Sequence, residues 1–100
     1  MKILIAEDDL DNARLLESIL KNNEHTVEVV GDGIEALERL RGNQFDALLT
    51  DWMMPVMDGV TLIQRVRAEI ETAPLILMIT AIGDEASRQQ VLQAGADEVL

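Results

Sequence analysis

The sequence predicts an α/β domain in which helices cover both faces of a doubly wound, mainly parallel β-sheet. Short apolar runs alternate along the chain with segments of helical period, which is the pattern of successive βαβ units. The runs at 3–6 and 75–79 contain no polar residue, as expected of strands buried on both faces of a sheet. No window has the composition of a linker, so we expect one domain over residues 1–100.

The first strand and the first helix are predicted at the start of the chain. Residues 3–6 form the apolar run, which stops at three consecutive acids, 7–9. From Leu10 the pattern changes to a helical period, and the preceding acids suit the positive end of a helix dipole. The apolar stripe expected to face the core consists of Leu15, Leu16, Ile19 and Leu20.

The next three elements follow from alternation and from a capping pattern. Residues 26–30 alternate in polarity, which favours a strand nearer the sheet edge. Asp32 with Glu35 three residues later predicts a capping box that opens the second helix, and Gly42 and the asparagine after it end that helix. The third strand is predicted at 45–50. The core-facing residues of the second helix are expected to be Ala36, Leu37 and Leu40.

The second half repeats the strand–helix alternation. A third helix ends before Pro74, and 75–79 is the most apolar strand of the chain. The last helix, roughly 84–94, is followed by Gly95, a residue suited to a left-handed cap. Residues 98–100 begin a fifth strand. The apolar positions at helical spacing in the third helix are Val60, Ile63, Val66 and Ile70.

Composition excludes several classes of function. Eight basic and nineteen acidic residues give a formal net charge of -11, which repels nucleic acid and anionic membrane surfaces. The chain has no cysteine, so disulfides, thiolate nucleophiles and sulfur-bound zinc are excluded. No apolar run approaches the length of a membrane span, and the first residues do not resemble a signal peptide. We therefore expect a soluble cytoplasmic protein.

Polar side chains follow three of the predicted strands at the edge where a doubly wound sheet binds ligands. Glu7 and Asp8 follow the first strand, Asp51 the third, and Thr80 ends the fourth. Adjacent parallel strands lie about 4.8 Å apart, so if the first and third strands are neighbours in the sheet, their carboxylates converge within reach of one ion. Magnesium suits such oxygens. We expect Asp8 and Asp51 to bind it directly, with the Met53 carbonyl as a third ligand and Glu7 acting through water.

A simpler interpretation is that the acids at 7–9 only cap a helix, and that Asp51 is an ordinary acid at the end of a strand. Each acid taken alone fits that interpretation. The joint placement of the acids with the Thr80 hydroxyl favours an acidic metal site.

Four stretches carry a resemblance to a known family, and together they run in order along the whole chain. Residues 3–9 (ILIAEDD), 49–59 (LTDWMMPVMDG), 79–81 (ITA) and 93–98 (QAGADE) resemble the receiver domain of two-component response regulators. The resemblance implies a flavodoxin-like sheet with strand order 2-1-3-4-5.

The resemblance also implies a function in phosphorelay signalling. Asp51 would accept a phosphoryl group from a sensor histidine kinase, with Mg²⁺ offsetting the charge at the site. Thr80 would then hydrogen-bond the phosphoryl group and shift the face formed by the fourth helix and the fifth strand toward an output domain or effector protein. Such a domain is a regulatory phosphoacceptor rather than an enzyme, with self-catalysed phosphotransfer and dephosphorylation as its only chemistry.

Three departures from the family pattern lie near the end of the sequence. The family has a phosphoryl-binding lysine two residues past the position of Leu100, and it has a fifth helix; the sequence stops before both. Val99 stands where the family usually has a tyrosine or phenylalanine. We therefore expect a C-terminally incomplete receiver domain whose fifth strand is cut short. We expect it either to take up phosphoryl groups less efficiently or to form a homodimer or a swapped assembly through its exposed apolar face.

Two other functions use similar elements. A magnesium-dependent aspartyl phosphatase also has an aspartate nucleophile at a strand end, but it places a second acid two residues later, where this chain has Met53. A flavodoxin-like cofactor module would bind phosphate after the first strand, where the acids at 7–9 would repel it. We expect neither activity.

Overall fold

The computed structural model describes residues 1–79 and 84–100. The strands are β1 (Lys2–Ala6), β2 (Thr26–Val30), β3 (Ala47–Thr50), β4 (Leu75–Met78) and β5 (Glu98–Val99). The helices are α1 (Leu10–Asn22), α2 (Gly33–Gly42), α3 (Gly59–Glu69) and α4 (Glu85–Ala94). The strands are all parallel and form one sheet in the order β2-β1-β3-β4-β5. The predicted doubly wound, flavodoxin-like fold is confirmed, including the edge position of β2.

Each helix begins immediately after an aspartate whose side chain caps it. The aspartate accepts hydrogen bonds from main-chain N–H groups of the first turn, which otherwise have no partner within the helix. Glu35 also reaches back to the N–H of Gly31, one residue earlier than in the usual capping box. These caps fix the helix starts at the edge of the sheet that carries the acids. The capping residues are Asp9, Asp32, Asp58 and Asp84.

The sheet has a different helical cover on each face. Helices α2, α3 and α4 pack on one face, and their buried side chains form the larger core with Leu4, Leu48 and Ile76. In the two described ranges, α1 is the helix that packs on the other face. The predicted inward stripe of α1 is therefore only partly correct, because Leu15 is 61% exposed and Ile19 is 49% exposed. Leu16 and Leu20, from the same stripe, do pack against the sheet.

The opposite edge of the sheet is tied together by one arginine. The Arg67 guanidinium donates hydrogen bonds to the carbonyl of Gly95 at 2.8 Å and to the carboxylate of Asp97 at 2.9 Å. The same carboxylate oxygen accepts the N–H of Ile76 at 2.8 Å. This cluster joins α3, the end of α4 and the start of β4. No helix within the described ranges has the length and apolar character needed to cross a membrane.

Replacing Gly95 by Ala is expected to destabilise the fold by about 1–2 kcal/mol. Gly95 has φ 123°, and a Cβ atom there would lie 2.6 Å from Cγ of Arg67. Gly42→Ala is the matched control, because Gly42 also stands at a helix end but has nothing within 4 Å of an added Cβ. We expect the control to be neutral or slightly stabilising. The free energy of unfolding of both variants is measured by urea denaturation. Equal changes in the two variants would contradict the requirement for a glycine at position 95.

Candidate functional site

Three carboxyl groups converge at the carboxyl edge of the sheet. Strands β1 and β3 are neighbours in register, with Ala6 opposite Thr50, so the next residues, Glu7 and Asp51, lie side by side. One oxygen from each of Glu7, Asp8 and Asp51 lies within 4.8 Å of the others. The convergence expected from the order of the strands is therefore present in the structure.

Asp51 is held by hydrogen bonds on its main chain and on its side chain. Its N–H donates to the carbonyl of Ala6 at 3.0 Å, which extends the β1–β3 pairing by one residue. Its Oδ1 atom accepts the N–H of Trp52 at 2.8 Å. The carboxyl group is half-buried and has a defined orientation at the end of the strand. These are the conditions that a preorganised nucleophile or metal ligand requires.

Glu7 differs from the other two acids because it is almost completely buried. Glu7 is only 7% exposed, and its Oε2 atom has no hydrogen-bond partner among the described residues. Burial, followed by the adjacent Asp51 carboxyl, raises the pKa of Glu7 to about 7, while a hydrogen bond with Asn12 opposes the shift. A divalent cation would satisfy the unpaired oxygen and offset the charge, so the three acids fit a magnesium ion.

Replacing Glu7 by Gln is expected to stabilise the magnesium-free chain at pH 8 by up to about 3 kcal/mol, and to change little at pH 4. The pKa of Glu7 is about 7 in the folded state, whereas its ordinary value is 4.5. The wild-type chain is therefore most stable below pH 4.5, and its free energy of unfolding falls as the pH rises through 7. The glutamine has no such titration. Urea denaturation in EDTA at both pH values tests this, and a pH-independent difference would contradict it.

The loop after Asp51 contains the remaining predicted ligand. Met53 lies two residues beyond Asp51, and its side chain is 72% exposed. The role of its carbonyl as a ligand stays a prediction. The predicted switch residue, Thr80, lies outside the described residues 1–79 and 84–100.

A groove of about 360 Å³ opens beside the acids. Glu7, Asp51 and Asn12 line its polar end, and Leu16 and Ile79 lie among the apolar residues that line the rest. The groove leaves space for a reacting group next to the half-buried Asp51. Sequence reasoning missed Asn12. Its position in the first turn of a helix that begins directly after the three acids is the signal that could have found it.

Comparison with known proteins gives a consistent family match. A family model described as the response regulator receiver domain matches residues 3–100. Over 96 residues the chain is 38% identical to the chemotaxis protein CheY-3 of Vibrio cholerae, covering 94% of this chain and 72% of that protein. It is 34% identical to the autoinducer 2 sensor kinase/phosphatase LuxQ of Vibrio vulnificus over 100% of this chain. The chain spans only 12% of the length of LuxQ.

The fold also matches a solved structure that contains a metal. The receiver domain of the sensor histidine kinase PA1611 from Pseudomonas aeruginosa superposes with a TM-score of 0.89 and is 33% identical. The match covers 99% of this chain and 82% of that domain. In that protein a magnesium ion is coordinated in the active-site cleft.

Proposed function

The chain belongs to the response regulator receiver domain family, the phosphoacceptor domains of two-component systems, and on that premise we propose that Asp51 is the residue that accepts the phosphoryl group. The observation that carries this assignment is the position of Asp51. It directly follows the central strand β3, its carboxyl group is oriented by the Trp52 N–H, and one of its carboxylate oxygens lies within 4.8 Å of an oxygen from each of two further acids. The groove beside it leaves room for a donor group.

The proposed reaction is a transfer between two covalent carriers. A carboxylate oxygen of Asp51 attacks the phosphorus of a phosphohistidine, a phosphorus–oxygen bond forms, and the phosphorus–nitrogen bond breaks with its electron pair left on the imidazole. Water later attacks the phosphorus of the acyl phosphate, which releases inorganic phosphate and restores the carboxylate. The chain therefore serves as a regulatory phosphoacceptor that undergoes only its own phosphorylation and dephosphorylation.

We propose that Glu7, Asp8 and Asp51 hold a magnesium ion, with the Met53 carbonyl as a further ligand and Glu7 acting through water. The buried, unpaired oxygen of Glu7 and the convergence of the three acids support this assignment. The bound ion would supply positive charge that offsets the negative charge of the carboxylates and of the phosphoryl oxygens during transfer. The magnesium described for the similar PA1611 domain supports the choice of metal.

The proposed partners are a sensor histidine kinase as phosphoryl donor and an output domain or effector protein as receiver of the signal. Thr80 stays the proposed switch hydroxyl, and the surface of α4 and β5 the proposed output face, on the strength of the family resemblance. The predicted homodimer or swapped assembly stays a prediction. A Mg-dependent aspartyl phosphatase is not favoured, because exposed Met53 occupies the position of the required second acid.

The test of the proposed function is phosphoryl transfer from a small donor. With magnesium and acetyl phosphate, the chain should gain the mass of one phosphoryl group on the peptide that contains Asp51. Absence of any added mass on that peptide, under conditions in which the chain is folded, would contradict the proposal.

A further inference from the structure

The loop that joins Asp51 to Asp58 packs against two glycines that come from different helices. Gly59, at the start of α3, donates its N–H to the carbonyl of Trp52 at 2.7 Å. A Cβ atom at Gly59 would overlap the main-chain oxygen of Asp51. Gly33, at the start of α2, packs against the other end of the loop at Met57. The loop is therefore bounded at each end by a residue without a side chain.

We propose that Gly33 is a positioning residue for the acidic site: its missing side chain makes the space in which the Met57 carbonyl lies. A Cβ atom at Gly33 would lie 2.7 Å from the Met57 carbonyl oxygen and 2.9 Å from the Met57 Cβ. The φ of Gly33 is outside the left-handed region, so the glycine is required for space and not for an unusual backbone conformation. This inference rests on the proposed role of the site.

The helix side of this contact is held by a capping hydrogen bond and by core packing. Asp32 caps α2 by accepting the N–H of Glu35 at 2.8 Å, and Ala36 and Leu37 on the next turn are 0% and 3% exposed. Gly33 itself is buried. Because α2 is fixed by its cap and its packing, a side chain added at Gly33 would displace the loop and not the helix.

Displacement of Met57 would be transmitted toward Asp51 through a strained turn. The Met57 N–H donates to the Pro55 carbonyl at 2.7 Å, which closes a three-residue turn around Val56. Val56 has φ 70°, a conformation that a β-branched residue adopts only when its surroundings hold it there. If Met57 moves, the turn loses the contact with Gly33 that holds it against α2. Met53, whose carbonyl is the proposed metal ligand, lies just before the turn.

The experiment compares Gly33→Ala with Gly31→Ala. Gly31 precedes the same helix, and nothing lies within 4 Å of a Cβ added there, so it is a matched control. We expect Gly33→Ala to weaken Mg²⁺ binding about tenfold, measured by titration of Trp52 fluorescence. We also expect its amide NMR signals over 53–58 to shift in the metal-free state, with both quantities unchanged in the control. A lower melting temperature with unchanged Mg²⁺ affinity and unchanged loop signals would overturn the proposal.

Failure of the Gly33 proposal can be distinguished from failure of the proposed function and from loss of folding. If the wild-type chain binds no Mg²⁺ and accepts no phosphoryl group, the proposed function fails, whereas the metal-free amide signals still decide the Gly33 contact. If Gly33→Ala does not fold, the double variant Gly33→Ala/Val56→Gly gives the turn room to adjust. We expect the double variant to bind Mg²⁺ more weakly than Val56→Gly alone, and equal affinities would overturn the proposal.

Discussion

Replacing Asp51 by Asn is expected to reduce phosphoryl uptake from acetyl phosphate to the background level. The carboxamide has nearly the shape of the carboxylate and can still accept the Trp52 N–H, which is 2.8 Å from Oδ1 in the wild-type chain. It lacks the anionic oxygen that attacks phosphorus, so the fold persists while the reaction is lost. Intact-mass spectrometry in the presence of Mg²⁺, followed by peptide mapping, measures the loss.

The matched control is Asp58→Asn, in the same loop. Asp58 caps α3 by accepting the N–H of Thr61 at 2.8 Å, and asparagine caps helices about as well as aspartate. This variant should therefore retain uptake while losing one negative charge near the site. If Asp51→Asn still gains the mass, the assignment of the phosphoacceptor is wrong. If Asp58→Asn loses the mass as completely, the effect cannot be assigned to the nucleophile at Asp51.

Most of the fold could be predicted because its signals are local. The strand predicted at 26–30 is β2, Thr26–Val30, and the strand predicted at 75–79 differs from β4 by one residue. Asp32, predicted to open the second helix, caps it, and Asp58 and Asp84 cap the two later helices in the same way. A cap and a hydrophobic period are both read within one or two turns of chain, so the sequence specifies them without tertiary information.

The width of the buried face of α1 could not be predicted from the same signals. The helical period places four residues on one stripe, Leu15, Leu16, Ile19 and Leu20. The period does not say how many of these positions contact the sheet. Leu16 and Leu20 contact the sheet, whereas Leu15 and Ile19 are exposed at the edge of the stripe. Exposure at such an edge depends on neighbouring elements and not on the period of the helix itself.

The acids of the candidate site could be predicted from the sequence, but the glycine contacts that hold the loop beside them could not. Glu7 and Asp51 lie side by side because each follows a strand and the two strands are neighbours. The strand ends can be read from the sequence, whereas the strand order was implied by the family resemblance. The contacts of Gly33 with Met57 and of Gly59 with Asp51 depend on where two helices meet a loop. A glycine that provides space has the same sequence signal as a glycine that ends a helix, so only the structure separates Gly33 from Gly42.

Replacing Asp8 by Ala is expected to abolish the stabilisation of the chain by magnesium. Magnesium that binds only the folded state at about ten times its dissociation constant adds about 1.4 kcal/mol of stability. For a chain of this size that gain raises the melting temperature by about 6–11 °C. Asp8 is the exposed member of the three-acid cluster, so its removal takes away a ligand without opening the core. Thermal denaturation with and without Mg²⁺, at equal ionic strength, measures the shift.

The control for this experiment is Asp9→Asn, one residue further along the chain. Asp9 caps α1 by accepting the N–H groups of Asp11 at 2.9 Å and Asn12 at 3.1 Å, and asparagine preserves this role. The control loses the same charge as Asp8→Ala but keeps every proposed ligand, so its magnesium shift should stay close to that of the wild type. Loss of the shift in both variants would mean that local negative charge, and not a ligand at Asp8, attracts the ion. An undiminished shift in Asp8→Ala would remove Asp8 from the proposed ligands.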